Sequence, residues 1–218
     1  MPRIFDVLLS LLALLILLPL FIPIIVILLL TGEHKVFYLQ TRVGYKNKDF
    51  KIIKFATMLS NSANIGSGSL TLKNDPRVLP FGSFLRKTKI NELPQIINII
   101  IGDLAIVGPR PQMKVDFEKY SDDVQGKIYN VRPGLTGIGS IIFRDEESLI
   151  SLAAENEDPH DFYKRVIAPY KGEVELWYHS NRSTFLDFQL IFLTAWAIVY
   201  PETRLYEKWF KDLPKRKF

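Results

Sequence analysis

Between residues 7 and 30 the only side chain with a hydrogen-bonding group is that of Ser10. As a helix this run covers roughly 36 Å at ~1.5 Å per residue, enough to cross a hydrocarbon core of ~30 Å. It exceeds the apolar part of an ordinary secretory signal. It also leads into Thr31-Gly32-Glu33-His34-Lys35 without a small-residue cleavage pattern, which disfavours a signal peptide. Pro19 and Pro23 fall inside it. Each removes a backbone donor and crowds the preceding turn, so a kink is expected there. Two arrangements fit. One is a plain spanning helix. The other enters the lipid, bends at Pro19 and returns, keeping Arg3, Asp6 and Glu33 at the same headgroups. The residues alone leave both open.

The remaining chain carries the charge. Of 218 residues, 28 are Lys or Arg and 23 are Asp or Glu, a net charge of +5 that points to an anionic partner. Nucleic acid, anionic lipid and phosphorylated substrates all satisfy that balance. With no cysteine, disulfides and thiolate metal sites are excluded. Residues 36–39 and 50–55 read as short strands, and residues 60–69 as a mobile Gly/Ser-rich loop. Residues 90–101 read as a buried helix ended by Gly102. Residues 161–178 have helical spacing interrupted at Pro169. Residues 185–200 are apolar but span only ~24 Å as a helix, which suits a core or interfacial helix better than a crossing one. The tail mixes Trp209 and Phe210 with Lys211, Lys215, Arg216 and Lys217, a headgroup-region composition, with a solvated end as the alternative.

Chemistry concentrates in residues 85–95. Asn91 suits a helix N-cap, and Pro94 is tolerated in a first turn. Glu92 would then project from a helix N-terminus, with Arg86 and Lys87 just before it. Such a group can hold a phosphate with its divalent metal; a capped helix with Glu92 offsetting the dipole is the simpler alternative. Arg110 lies between two prolines and Arg132 precedes another, stiff supports for a phosphate-binding guanidinium. Asp187 is a lone acid among Phe185, Leu186, Phe188 and Leu190, and wants a cation, metal or basic side chain. His34, His160 and His179 show no metal-ligand spacing.

The order of motifs resembles the bacterial sugar transferase family, the monotopic polyprenyl-phosphate phosphoglycosyl transferases. The stretches that carry the resemblance are Arg3-Ile4-Phe5-Asp6, Gln40-Thr41-Arg42-Val43-Gly44, Lys54-Phe55-Ala56-Thr57-Met58 and Asn74-Asp75-Pro76-Arg77. They continue through residues 85–95, Gly102-Asp103-Leu104, Val107-Gly108-Pro109-Arg110-Pro111, Arg132-Pro133-Gly134-Leu135-Thr136-Gly137, Asn181-Arg182-Ser183 and Leu186-Asp187. The resemblance implies a re-entrant helix in the cytosolic leaflet with its break at Pro19. It also implies transfer of a sugar 1-phosphate from a UDP-sugar to undecaprenyl phosphate, with release of UMP and a need for Mg²⁺. In the family the reaction passes through a covalent phosphosugar on the Asp of an Asp-Glu pair.

Here the sequence departs from the pattern. Asn91 stands at the Asp position, and a neutral amide is a very poor nucleophile toward phosphorus. Residues 137–144 keep only the glycine and final arginine of the family's corresponding stretch, Gly137 and Arg144. Glu92 as nucleophile, Glu92 as metal ligand with direct attack by the lipid phosphate, and loss of transfer activity are therefore all carried forward. In the last case the chain would be a membrane-surface adaptor for anionic lipid or nucleotide.

The expected fold is α/β and mostly α. Residues 1–32 form the re-entrant membrane helix, and residues 33–218 a compact catalytic domain with short strands and interfacial helices. That domain is expected on the cytosolic face of the bacterial inner membrane. The expected catalytic group is Glu92, Asn91 and Arg86. Lys54, Arg110, Arg132 and Arg144 would bind substrate, while Glu92 and Asp187 would hold Mg²⁺. Nucleic acid is not an expected partner, since no aromatic-basic reading motif accompanies the membrane segment. Sugar identity and oligomeric state stay open, a homodimer included.

Overall fold

The computed structural model describes residues 1–66, 68 and 70–218. Ser67 and Ser69, part of the expected mobile loop, lie outside the described residues. Helix α1 (Arg3–Leu30) opens the chain and is followed by strands β1 (Phe37–Val43) and β2 (Asp49–Phe55). Then come α2 (Pro80–Lys87), a 3-10 turn at Ile90–Glu92, α3 (Gln95–Ile101) and β3 (Ala105–Val107). Two short helices, α4 (Lys114–Phe117) and α5 (Asp122–Lys127), precede β4 (Gly134–Thr136). Helices α6 (Ile138–Ile142), α7 (Glu146–Ala153), α8 (Pro159–Phe162), α9 (Ala168–Asn181), α10 (Thr184–Val199) and α11 (Leu205–Trp209) complete the order. The fold is mostly helical, with an antiparallel pair β1–β2 and a parallel pair β3–β4 among the described residues.

Helix α1 continues through Pro19 and Pro23, so the prolines do not interrupt the helical assignment. One face of it is covered from end to end. Asp6, Ser10, Phe21, Ile24 and Leu28 are buried, and Leu14 and Leu17 are partly buried between them. That spacing of three and four residues is the seam of a helix lying along a support. At its start, Arg3 donates to the carbonyls of Ile99 and Leu104, and Asp6 accepts from Ile106 N at 3.0 Å. Toward its end, Phe21 meets Phe55 edge-on at 5.3 Å, and Leu28 joins Phe55 and Leu85 in one apolar cluster. Leu8, Leu12, Leu15, Ile16, Ile22 and Leu30 point away, exposed. Helix α10 matches this two-faced design. Leu186, Leu190, Leu193 and Ala197 are buried, while Phe185, Phe188, Phe192, Trp196 and Ile198 are exposed. Phe5 and Phe188 bring the two outer faces together, ring centroids 6.5 Å apart.

Two expectations are corrected. The helix expected over residues 90–101 divides, because Lys89 adopts a left-handed backbone (φ 60°) that launches a separate 3-10 turn. Asn91 lies inside that turn and makes no capping bond, and Pro94 occupies the N-cap of α3 instead. Gly102 does end α3, at φ 114°. The Gly/Ser-rich segment is not slack where it is described. Its carbonyls at Ser62, Ile65 and Gly68 all converge on the buried guanidinium of Arg77. Near Pro169, a wider π-type turn at Tyr163–Ile167 takes up the missing donor, and the helical path continues into α9.

Candidate functional site

Strand β2 carries Lys51 and Lys54 on opposite faces and projects Lys54 toward the turn that carries Glu92. Arg110 arrives from a different construction. The parallel pair β3–β4 sets Gly108 against Gly134, where a Cβ on Gly134 would lie 2.1 Å from Gly108 N. Only glycine permits that approach, and it fixes the Pro109-Arg110-Pro111 turn in place. The Arg110 peptide is then held at both ends. Its N–H donates to Glu175 Oε1 at 3.3 Å, and its carbonyl accepts from the Tyr129 hydroxyl at 2.8 Å.

These elements bring Arg110 Nη2 to 3.0 Å and Lys54 Nζ to 3.5 Å from the same oxygen, Glu92 Oε1. Lys89 and Arg42 add their fields. Burial alone would push the Glu92 carboxyl up, but Arg110, Lys54 and Lys89 outweigh it and hold Glu92 well below the usual carboxylate range. The lysine suffers the reverse. Burial, then Arg42, Arg110 and Arg86, outweigh the attraction of Glu92 and bring Lys54 down to about 7. Burial, with the Arg110 charge beside it, also lowers Arg42, whose donors reach only the neutral acceptors Gln40 Oε1 and the Pro111 carbonyl. Four cations thus surround Glu92, while Asp116 acts on Arg42 and Glu146 and Glu175 act more weakly on Arg110. The space among Arg42, Lys54, Gln95 and Arg110 is about 10 Å³, room for about one water. Arg110 is the most exposed of the paired groups, 35% against 15% for Lys54 and 17% for Glu92. Asn91 sits beside this cluster, buried, with no partner for its Oδ1 among the described residues.

Other expected site residues stand apart. Arg86 lies on the margin, 3.7 Å from Glu147 and within reach of the Met58 sulfur, yet close enough for its charge to act on Lys54. Arg132 is exposed; it donates to the Gly102 carbonyl at 3.0 Å and covers the Tyr45 ring. Arg144 is half-buried on the turn before α7. Asp187 makes no contact with Glu92 among the described residues. It is buried, accepts from the Tyr178 hydroxyl at 2.7 Å, and pairs with the ammonium of Met1. The cation that a lone buried acid requires is therefore that ammonium. No group of three or more His, Asp or Glu that could hold a metal occurs among the described residues. Arg42, Lys89 and Glu175 were not singled out from the sequence. Arg42 had a signal, since it lies in one of the motif stretches, whereas Glu175 had none.

The chain matches the bacterial sugar transferase family over residues 1–201. It is similar to the exopolysaccharide production protein ExoY of Rhizobium meliloti, 32% identical over 210 residues that cover 90% of this chain and 84% of that protein. ExoY of Sinorhizobium fredii is 36% identical over 166 residues, 70% of this chain and 73% of that protein. The UDP-glucose:undecaprenyl-phosphate glucose-1-phosphate transferase of Escherichia coli is 32% identical over 194 residues. These are 87% of this chain but 38% of that protein.

Proposed function

The chain belongs to the bacterial sugar transferase family, and on that premise we propose that it moves a sugar 1-phosphate from a UDP-sugar to undecaprenyl phosphate, releasing UMP. A phosphate oxygen of the lipid attacks the β-phosphorus of the donor. The bond from that phosphorus to the bridging oxygen breaks, and UMP leaves with the electron pair. The observation that carries this reading is the gathering of partly buried cations around Glu92. A dianionic pyrophosphate supplies the negative charge that Lys54, Arg42 and Arg110 lack, and neutralising charge is the main work in phosphoryl transfer. Entry requires Arg110, the exposed member, to swing from Glu92 onto the donor.

Glu92 is assigned a holding role. Its carboxylate is stabilised so strongly as an anion that its basicity, and with it its nucleophilicity, is low. Of the expected ligands only Glu92 lies in the cluster and would hold Mg²⁺, an ion that commonly takes one carboxylate together with substrate phosphates. When bound there it would neutralise charge on the leaving phosphate. Asn91 offers its unpartnered carbonyl to a donor hydroxyl.

The membrane arrangement supports the same reading. Both ends of α1 are tied to one body of structure, by Arg3 and Asp6 at the start and by Leu28 at the end. We take a helix so attached to enter and leave on the same, cytosolic face, with its outer face and that of α10 forming the lipid-facing surface. Intact-mass measurement with UDP-sugar and Mg²⁺ but no lipid tests the mechanism. No adduct, with UMP released only after undecaprenyl phosphate is added, is expected. A phosphosugar adduct that vanishes in Glu92→Gln would instead make Glu92 the nucleophile. Absence of UMP across a panel of UDP-sugars would leave only the adaptor.

A further inference from the structure

A second cavity lies away from Glu92. It measures about 240 Å³ and lies where α1 ends, walled by Leu28, Ala56, Leu79, Pro80 and Phe81 with Lys35 at its rim. Its lining is almost wholly carbon, and no core residue fills it. Three features fix what it suits. First, it is continuous with the lipid-facing side of α1, since Leu28 is the last buried seam residue and Leu29 and Leu30 beside it are exposed. Second, the apolar surface continues along α2. There Phe81 stacks on the exposed Phe84 at 6.0 Å, while Arg86 lies across the helix within reach of the Met58 sulfur. Third, Ala56 is two residues beyond Lys54, a separation of about 7 Å along an extended chain.

We propose that this cavity holds the isoprenoid segment next to the phosphate of the polyprenyl phosphate acceptor. The inference rests on the transfer reading above and adds the place where the acceptor chain is gripped. The phosphate sits toward Lys54 and Arg86, and the hydrocarbon turns into the cavity before the rest of the chain returns to the bilayer. A cavity of about 150 Å³ accepts a benzene ring, so this one takes a few isoprene units and not the whole chain. A polyprenyl phosphate joins its hydrocarbon directly to the phosphate. A diacyl phospholipid puts glycerol and two esters between them, and those polar groups would be buried against carbon without partners. Glu33, also on the rim, does not compete for Lys35 alone, because it accepts from Ser60 N at 2.8 Å and from the Ser60 hydroxyl.

The test is photolabelling of the full chain in phosphatidylcholine nanodiscs with a geranylgeranyl phosphate bearing a diazirine on its first isoprene units. Label is expected on residues 28–35 or 79–84, displaced by undecaprenyl phosphate and not by phosphatidylglycerol. Filling the cavity by Ala56→Leu should abolish it. Leu79→Trp, a change at a half-buried wall position, serves if that variant folds poorly. In turnover, the same variants should raise KM for the acceptor at least about tenfold, the loss of two or more buried methylenes, with KM for the donor unchanged. Label displaced equally by phosphatidylglycerol, or falling elsewhere, would overturn the assignment. Labelling needs no turnover, so failure of the transfer reading itself is seen separately, as absent UMP release.

Discussion

Two arginine centres in this chain, one buried and one half-buried, are built to opposite plans. Around Arg77 every charge is met. Asp75 takes two of its nitrogens at 2.9 and 2.6 Å, and the carbonyls of Ser62, Ile65, Gly68 and Leu70 take the rest. The hydrogen bonds to Arg77 hold the Asp75 carboxyl low, and those to Asp75 hold the guanidinium high. Around Glu92 the balance is left open, and Lys54 and Arg42 are both pushed down by burial and like charge. A satisfied centre organises a loop. An unsatisfied one costs stability and is repaid when an anion binds.

The contrast predicts different failures. Glu92→Gln should reduce UMP release by about a thousandfold or more, in the range of losing a group that holds charge in the transition state. Its cost in stability should be the smaller effect, because Lys54, already near neutrality at pH 7, can shed its proton. Arg77→Met should do the reverse. Leaving Asp75 buried without its partner costs about 3–5 kcal/mol, a clear drop in thermal midpoint, while turnover per folded molecule stays near that of the parent. Comparable losses of activity in both variants would erase the distinction.

Acid and base sharpen it further. Burial raises Glu175 to about 7 from an unfolded value of 4.5, so the folded state holds that proton more tightly. Its contribution is present below about 4.5 and is lost as pH rises to about 7. Lys54 falls to about 7 from 10.5, so the unfolded chain holds that proton more tightly, and stability grows as pH rises from about 7 to 10.5. Melts across this range should therefore dip around pH 7, by a few kcal/mol on each limb. Glu175→Gln should flatten the acid limb, and a UDP-sugar should flatten the alkaline one by restoring charge to Lys54. A dip unchanged by either contradicts the assignment. The smallest effect belongs to Arg132→Ala, within about threefold of parental turnover, since that guanidinium serves the Gly102 carbonyl and the Tyr45 ring.

Much of this was legible in the residues. The apolar run pointed to α1, residues 50–55 read as the strand that became β2, and the stretch around Glu92 pointed to the candidate site. The meeting of Lys54, Glu92 and Arg110 is a tertiary contact that motif order does not encode. What failed had local causes. Asn91 looked like a cap until the left-handed Lys89 placed it inside a 3-10 turn. Asp187 found its cation in the chain's first residue, a contact no local pattern announces. Glu175 reaches Arg110 through a backbone N–H across 65 positions of sequence, and sequence spacing carries no trace of it. Arg77 stood in a quoted motif, but its hold on the Gly/Ser-rich loop depends on carbonyl directions, which composition does not encode.

The open charge balance at Glu92 is tested most directly by calorimetric titration of a UDP-sugar at pH 8 in two buffers of different ionisation enthalpy. Lys54 with a value of about 7 is then mostly neutral, and an arriving pyrophosphate should recharge it. The account predicts uptake of close to one proton per donor bound, absent in Lys54→Met. Binding heats that are the same in both buffers would show that Lys54 keeps its proton throughout, and the cluster would not be the anion site described.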